Sequence, residues 1–366
     1  MSKKKKIILI PILSLVTTLI LFLIIMLIVD RSLSKKEYEL LEKNGYINII
    51  EVDGYNINAS MFGNNDGKHV IVALAGLGCS EISVTMRKMT KALEQDNLIV
   101  FIERYGYGYG YSDDCLLPQT NDTIVSLYRK ALKELGLNGP YILMPHSIGG
   151  AYATWWASEY PDEIEAVMFV DGSQLSDTAF DEEEEDNSLL SKPFVLNFID
   201  FFGLDRLALR NYFYLLPDNY SKEEQELADA LAIKSLCNTA LVSESNLLKE
   251  NAQEAYNNIV TNDIPKIYLC ASWGISSEQE LVDYMKWINH QKEKNNLETD
   301  GKINLSSKQI EEILKNFEDT RKTELQPYID KLGNCEMVLF GGDHMIYEQK
   351  PEECGRILMN FLKKLD

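Results

Sequence analysis

Tyr141-Ile-Leu-Met-Pro-His-Ser-Ile-Gly-Gly150 is the stretch on which the reading of this chain turns. Its first four residues are apolar without alternation, as in a strand covered on both faces of a parallel sheet. Asn138-Gly139-Pro140 in front supplies turn chemistry, and the run from Ile148 to Tyr160, halted by Pro161, predicts a helix. A strand passing straight into a helix with Ser147 at the junction holds that hydroxyl above the sheet on a sharp turn. Such a turn needs small neighbours, which Gly149 supplies on one side. The start of the helix then aims backbone N–H groups at developing negative charge.

Outward from this junction the chain keeps alternating. Val70–Ala75 and Leu98–Ile102 are continuous apolar runs rich in β-branched residues, and a helix predicted from Asn121 carries Ile124, Leu127, Tyr128, Ala131, Leu132 and Leu135 before Gly136. Ala166–Val170, Lys266–Cys270 and Glu336–Phe340 complete the buried strands. Ahead of them, Tyr46–Gly54 and Tyr55–Gly63 alternate and join at Asp53-Gly54, a hairpin signal. The expected class is α/β, with a mostly parallel central sheet flanked by helices. Residues 173–263, rich in aromatic and leucine residues after the acidic run Asp181–Asp186, read as a helical lid; residues 275–333 read as a second helical insert.

Pro145-His146-Ser147-Ile148-Gly149 resembles the nucleophile elbow of the α/β-hydrolase fold superfamily, written G-x-S-x-G, with Pro145 in place of the first glycine. The resemblance spans roughly residues 46–172 and 265–364. Leu74-Ala75-Gly76-Leu77-Gly78 stands where that superfamily has its oxyanion loop, with Ala75 where it more often has histidine. The likeness implies that the N–H groups of Leu77 and Ile148 form the oxyanion hole. Glu103-Arg104-Tyr105-Gly106-Tyr107-Gly108-Tyr109-Gly110-Tyr111-Ser112-Asp113 is similar to the family's R-x-G-x-G-x-S-D loop. It is not a nucleotide-binding loop: no helix opens there and bulky tyrosines separate the glycines.

A serine nucleophile requires a base, for which histidine is suited by a pKa near the working pH. Of four histidines, His69 begins a strand at the edge away from ligand sites, His146 adjoins Ser147 on an extended segment where neighbouring side chains diverge, and His290 lies in a charged helical stretch. His344, in Gly341-Gly342-Asp343-His344, follows the last strand, where the superfamily keeps its catalytic histidine. The third member stays open. The loop after Lys266–Cys270 lacks a carboxylate at the usual place, leaving Asp171 at the end of the preceding strand, favoured because it sits at a sheet edge, or Glu278 or Glu280 reaching back. The resemblance implies no metal or organic cofactor.

Ile7–Val29 is 23 residues without a charge, about 34 Å as a helix, enough to span a bilayer core. No small-residue cleavage signal closes the run, so an uncleaved anchor is expected rather than a signal peptide. Lys3, Lys4, Lys5 and Lys6 ahead of it favour a cytoplasmic amino terminus and an extracytoplasmic domain, although Arg31, Lys35, Lys36 and Lys43 follow. The expected organisation is a basic tail (1–6), transmembrane helix (7–29), stalk (30–45) and hydrolase domain (46–366). With net charge −20 the surface repels phosphate backbones, which argues against nucleic acid. Six cysteines without metal-ligand spacing read as free thiols.

The function these readings imply is a membrane-anchored serine hydrolase, of carboxylesterase or lipase type, acting on a small ester or amide with an apolar acyl group. An aminopeptidase of the same fold and an inactive membrane-tethered binding module are the alternatives.

Overall fold

The computed structural model describes residues 3–110, 117–182, 188–189, 191–207, 216–271 and 306–365. Its centre is an eight-stranded sheet in the order β1-β2-β4-β3-β5-β6-β7-β8. β1 (Ile49–Val52) and β2 (Tyr55–Gly63) form the expected hairpin, and β2 runs antiparallel to β4 (Leu98–Ile102). From β4 the sheet is parallel through β3 (Val70–Leu74), β5 (Tyr141–Ser147), β6 (Ile164–Gly172), β7 (Lys266–Ala271) and β8 (Cys335–Phe340).

The apolar strands read as continuous because both of their faces are covered. Along β3 and β4, Val72, Leu74, Val100 and Ile102 enter one core with Tyr128 and Trp156. The alternate residues Ile71, Ala73, Ile99 and Phe101 enter the other with Met89 and Leu358. Pro145 sits within β5, paired with Leu74 of β3, where it withdraws one amide donor from the ladder.

On α1 (Lys3–Lys43), the tail, apolar run and stalk form one helix, passing without a break through the boundaries expected near residues 6 and 29. Its exposed apolar stretch makes it the one helix among the described residues long and apolar enough to cross a membrane. α2 (Ile82–Thr85) and α3 (Arg87–Thr90) follow β3. α4 (Asn121–Glu134) starts at Thr120, whose side chain accepts from Thr123 N–H, and buries Ile124, Leu127, Tyr128, Ala131 and Leu132. α5 (Gly149–Glu159) leaves β5 directly.

The described parts of the stretch 173–263 include the helices α6 (Pro193–Phe201), α7 (Lys222–Ala232), α8 (Thr239–Asn246) and α9 (Leu248–Asn257). α9 packs on α5 and buries Ala252 and Ala255 in the main core. Of the second insert, α10 (Ser307–Leu332) is helical, and 275–305 lies outside the described residues. α11 (Ile346–Gln349) and α12 (Pro351–Leu362) close the chain.

β3 has β4 on one side and β5 on the other, so the winding of the sheet reverses there. Parallel α/β sheets bind ligands beyond the carboxyl ends of strands at such a reversal. The loops after β3, β5, β6 and β8 all open at that edge.

Candidate active site

Ser147 ends β5 in the left-handed region, with φ 53°. A non-glycine residue held there costs about 1–3 kcal/mol and persists only where the surroundings over-determine it. Two close approaches do so. A Cβ on Gly149 would lie 2.3 Å from the Leu74 carbonyl oxygen, so α5 can press onto β3 only with glycine at that position. One on Gly76 would lie 2.9 Å from Ser147 Cβ, which places the loop after β3 against the elbow. The carbonyl of Ser147 accepts from Ser173 N–H at 2.7 Å.

Asp171, the penultimate residue of β6, is also left-handed (φ 43°) and is buried. Its Oδ1 accepts from the Ala271 N–H at 2.7 Å and its Oδ2 lies 2.6 Å from His344 Nδ1. A carboxylate only accepts, so Nδ1 of His344 carries the proton and the ring's lone pair stands on Nε2. His344, half-exposed in the loop after β8, is thus oriented by an acid 173 residues earlier in the chain. Of the three candidate acids, the structure brings Asp171 to His344; Glu278 and Glu280 lie outside the described residues.

His146 is the residue whose part sequence reasoning missed. Its ring lies 4.5 Å from that of His344 and edge-on to Tyr347 at 4.9 Å. Its Nε2 donates to the His344 backbone carbonyl at 3.0 Å, tying the loop of the candidate base to the elbow. Nδ1 is buried without a hydrogen-bond partner among the described residues. Burial, with His344 nearby, pushes the imidazole down to about 3, so His146 stays neutral. The signal in the sequence is a histidine inside an apolar buried strand, which has to find a partner.

That depression predicts a pH dependence of stability. The unfolded imidazole binds a proton near pH 6.5 and the folded one does not until about 3, so the stability is fully present above 6.5 and lost as pH falls. Between pH 7.5 and pH 5 this amounts to about 2 kcal/mol. Urea unfolding at the two pH values should show the drop in the parent chain and a smaller one in His146→Asn; equal drops would remove His146 as its source.

Of the expected oxyanion donors, Leu77 follows Gly76, which lies against Ser147, and Ile148 follows Ser147 itself. Ile148 precedes α5, whose first N–H groups have no partner within the helix. The loop bearing Leu77 is held from beneath by Arg104, which donates to the carbonyls of Ala75 (2.6 Å) and Gly76. Across a trans peptide C=O and N–H point oppositely, so fixing the Gly76 carbonyl on Arg104 turns Leu77 N–H away from it. Arg104 is buried, and its charge is met by the equally buried Glu244 of α8, with Nε to Oε2 at 2.8 Å. Tyr152 donates to Glu244 Oε1 at 2.6 Å and Tyr107 donates to Oε2. Glu244 was not legible in the sequence, where it stands in an ordinary polar helix.

The other candidates fall elsewhere. His69 Nδ1 pairs with Glu165 at 2.9 Å, at the opposite end of β3, and His290 lies outside the described residues. Cys79 donates to the Leu77 carbonyl at 3.5 Å, but burial pushes its thiol well above the usual range and keeps it protonated, a poor nucleophile. Among the described residues, the free thiols are Cys79, Cys237, Cys270, Cys335 and Cys354, and no cluster of three or more His, Cys, Asp or Glu side chains could hold a metal ion.

Strand order, the sharp turn at Ser147 and the loops gathered at one sheet edge define the α/β-hydrolase fold. The family profile described as alpha/beta hydrolase fold matches residues 79–203. Uncharacterized protein YbdG of Bacillus subtilis (strain 168) is 25% identical over 332 residues, 90% of this chain and 89% of its own length. Two solved structures are similar in fold. The enol-lactonase from Burkholderia xenovorans LB400 aligns with TM-score 0.54 and 12% identity, covering 86% of this chain and all of the other. A membrane phospholipase A, called a bacterial virulence factor, aligns with TM-score 0.53 and 14% identity, covering 100% of this chain and 99% of the other.

Proposed function

We propose that this chain is a membrane-anchored serine hydrolase that cleaves a carboxylic ester by acyl transfer. The observation that carries the reading is the hydrogen bond between His344 Nδ1 and the buried Asp171 carboxylate, beside a serine held in the left-handed region. In this reading His344 Nε2 takes the proton from Ser147 Oγ as the oxygen attacks the ester carbonyl. The Leu77 and Ile148 N–H groups receive the oxyanion. Collapse expels the alcohol, which leaves with the proton from His344, and water repeats the sequence to release the acid and free the serine. Asp171 accepts from Nδ1–H and holds the imidazole in its productive tautomer.

The ester's acyl part is proposed to be apolar. Support comes from the apolar run of α1, which would hold the domain beside a bilayer and so beside acyl chains. α1 serves as the anchor, with Lys3 to Lys6 in the cytoplasm and the folded domain outside.

A fluorophosphonate probe tests the reading on the full-length protein in membranes. Labelling of the parent chain and none of Ser147→Ala is expected. Labelling that persists in Ser147→Ala removes the proposed nucleophile; absence from both removes the hydrolase reading in favour of a binding module.

A further inference from the structure

We propose that α6 lies in the surface layer of a lipid bilayer, alongside the point where α1 leaves it, so that the segment 173–263 is seated on the membrane; this rests on the reading of α1 as the anchor. The first observation is an inverted helix. In Pro193-Phe-Val-Leu-Asn-Phe-Ile-Asp-Phe201 only Leu196 is buried, while Phe194, Phe198 and Phe201 are 69%, 48% and 52% exposed. Their spacing of four and three residues aligns them on one stripe. A helix of a water-soluble domain turns such a stripe inward.

The second observation is where this stripe sits. Two residues past the end of α6, Gly203 is packed so tightly on α1 that a Cβ there would lie 2.4 Å from Asp30 Cβ. Asp30 is the first charged residue after the apolar run Ile7–Val29 and marks the level at which α1 emerges. Arg206 locks the joint, donating to Asp30 Oδ1 at 2.7 Å, Glu37 Oε1 at 2.7 Å and Ser34 Oγ at 2.9 Å. An arginine bound to two carboxylates and a hydroxyl is a rigid clamp, so α6 cannot drift from the membrane exit.

The third observation sets a depth. Met26, one turn before Asp30 on the same face of α1, is buried, whereas Ile25, Ile28 and Val29 are exposed. The folded domain therefore covers α1 for about 6 Å into the apolar run. Interfacial helices bury their apolar face about 5–10 Å into the headgroup and acyl boundary. A bilayer that accepts the bare side of α1 up to Val29 necessarily reaches the part of the domain packed on its other side. The lipid surface, rather than a second copy of the chain, is the occupant these three facts fit.

Tryptophan quenching in full-length protein reconstituted into phosphatidylcholine vesicles tests this. Phe198→Trp, with Phe194→Trp as a second position, is compared with Phe22→Trp in α1, each as added emission over the parent chain. With bromines on the upper acyl carbons, the added emission at 198 and 194 should be mostly lost; with bromines near the bilayer centre, that at 22 should be lost more strongly. Emission at 198 and 194 that is indifferent to brominated lipid, while 22 is quenched, overturns the proposal and leaves the anchor standing. Indifference at all three positions overturns the anchor and the seating of α6 together.

Discussion

Asp171→Asn is expected to lower turnover about 10⁴-fold while leaving KM and fold close to those of the parent chain. The reason is the two-sided use of the carboxylate. Oδ1 accepts from Ala271 N–H and Oδ2 from His344 Nδ1. An asparagine that keeps its oxygen on Ala271 N–H turns its amide group to His344, and an amide donor there demands a bare Nδ1. The imidazole proton then sits on Nε2, the atom proposed to take the serine proton, and the proposed base is lost without removing the ring. Turning the amide over instead leaves a buried N–H facing the Ala271 N–H, which costs more. Steady-state hydrolysis of a soluble aryl ester by parent, Asp171→Asn, Glu278→Gln and Glu280→Gln separates the acids. A loss under tenfold in Asp171→Asn, or a large one in either glutamate variant, would sink the assignment.

The choice among those acids shows where the sequence stopped being informative. Sheet, hairpin and elbow were readable because each is written locally: apolar runs of strand length, Asp53-Gly54 between alternating strands, and Ser147 between a buried strand and a glycine-opened helix. His344 was singled out by the resemblance, in the loop after the last strand, and the structure lays its ring against Asp171. Asp171 stayed one of three because which carboxylate reaches the ring depends on how β6, β7 and β8 lie side by side, and register between parallel strands joined by long crossovers leaves no local mark. For the same reason Arg206 on Asp30, and Glu244 beneath the loop after β3, were invisible: their partners lie 176 and 140 residues away. His146 shows a subtler failure. Alternation along a strand does send neighbouring side chains apart, but Ser147 leaves strand geometry and the loop after β8 folds over onto His146, so the two sit at one site.

Glu244→Ala is expected to destabilise the chain by about 3–5 kcal/mol, because it strands the Arg104 guanidinium in the interior with its counter-charge removed. Much of that loss reflects an unpaired buried charge rather than the worth of the pair. The double variant Arg104→Met, Glu244→Leu should therefore recover a large part of it in urea unfolding. Activity should not follow stability back. Arg104 also holds the carbonyls of Ala75 and Gly76, and with them the direction of Leu77 N–H, so the recovered double variant would lose the fixing of the proposed oxyanion donor. Such a loss costs about 10²–10³-fold in kcat with little change in KM. A double variant that regains both stability and turnover would show that the buried pair braces α8 and nothing more. One that stays stable and slow separates the two tasks: Glu244 neutralises the arginine, and the arginine aims the loop.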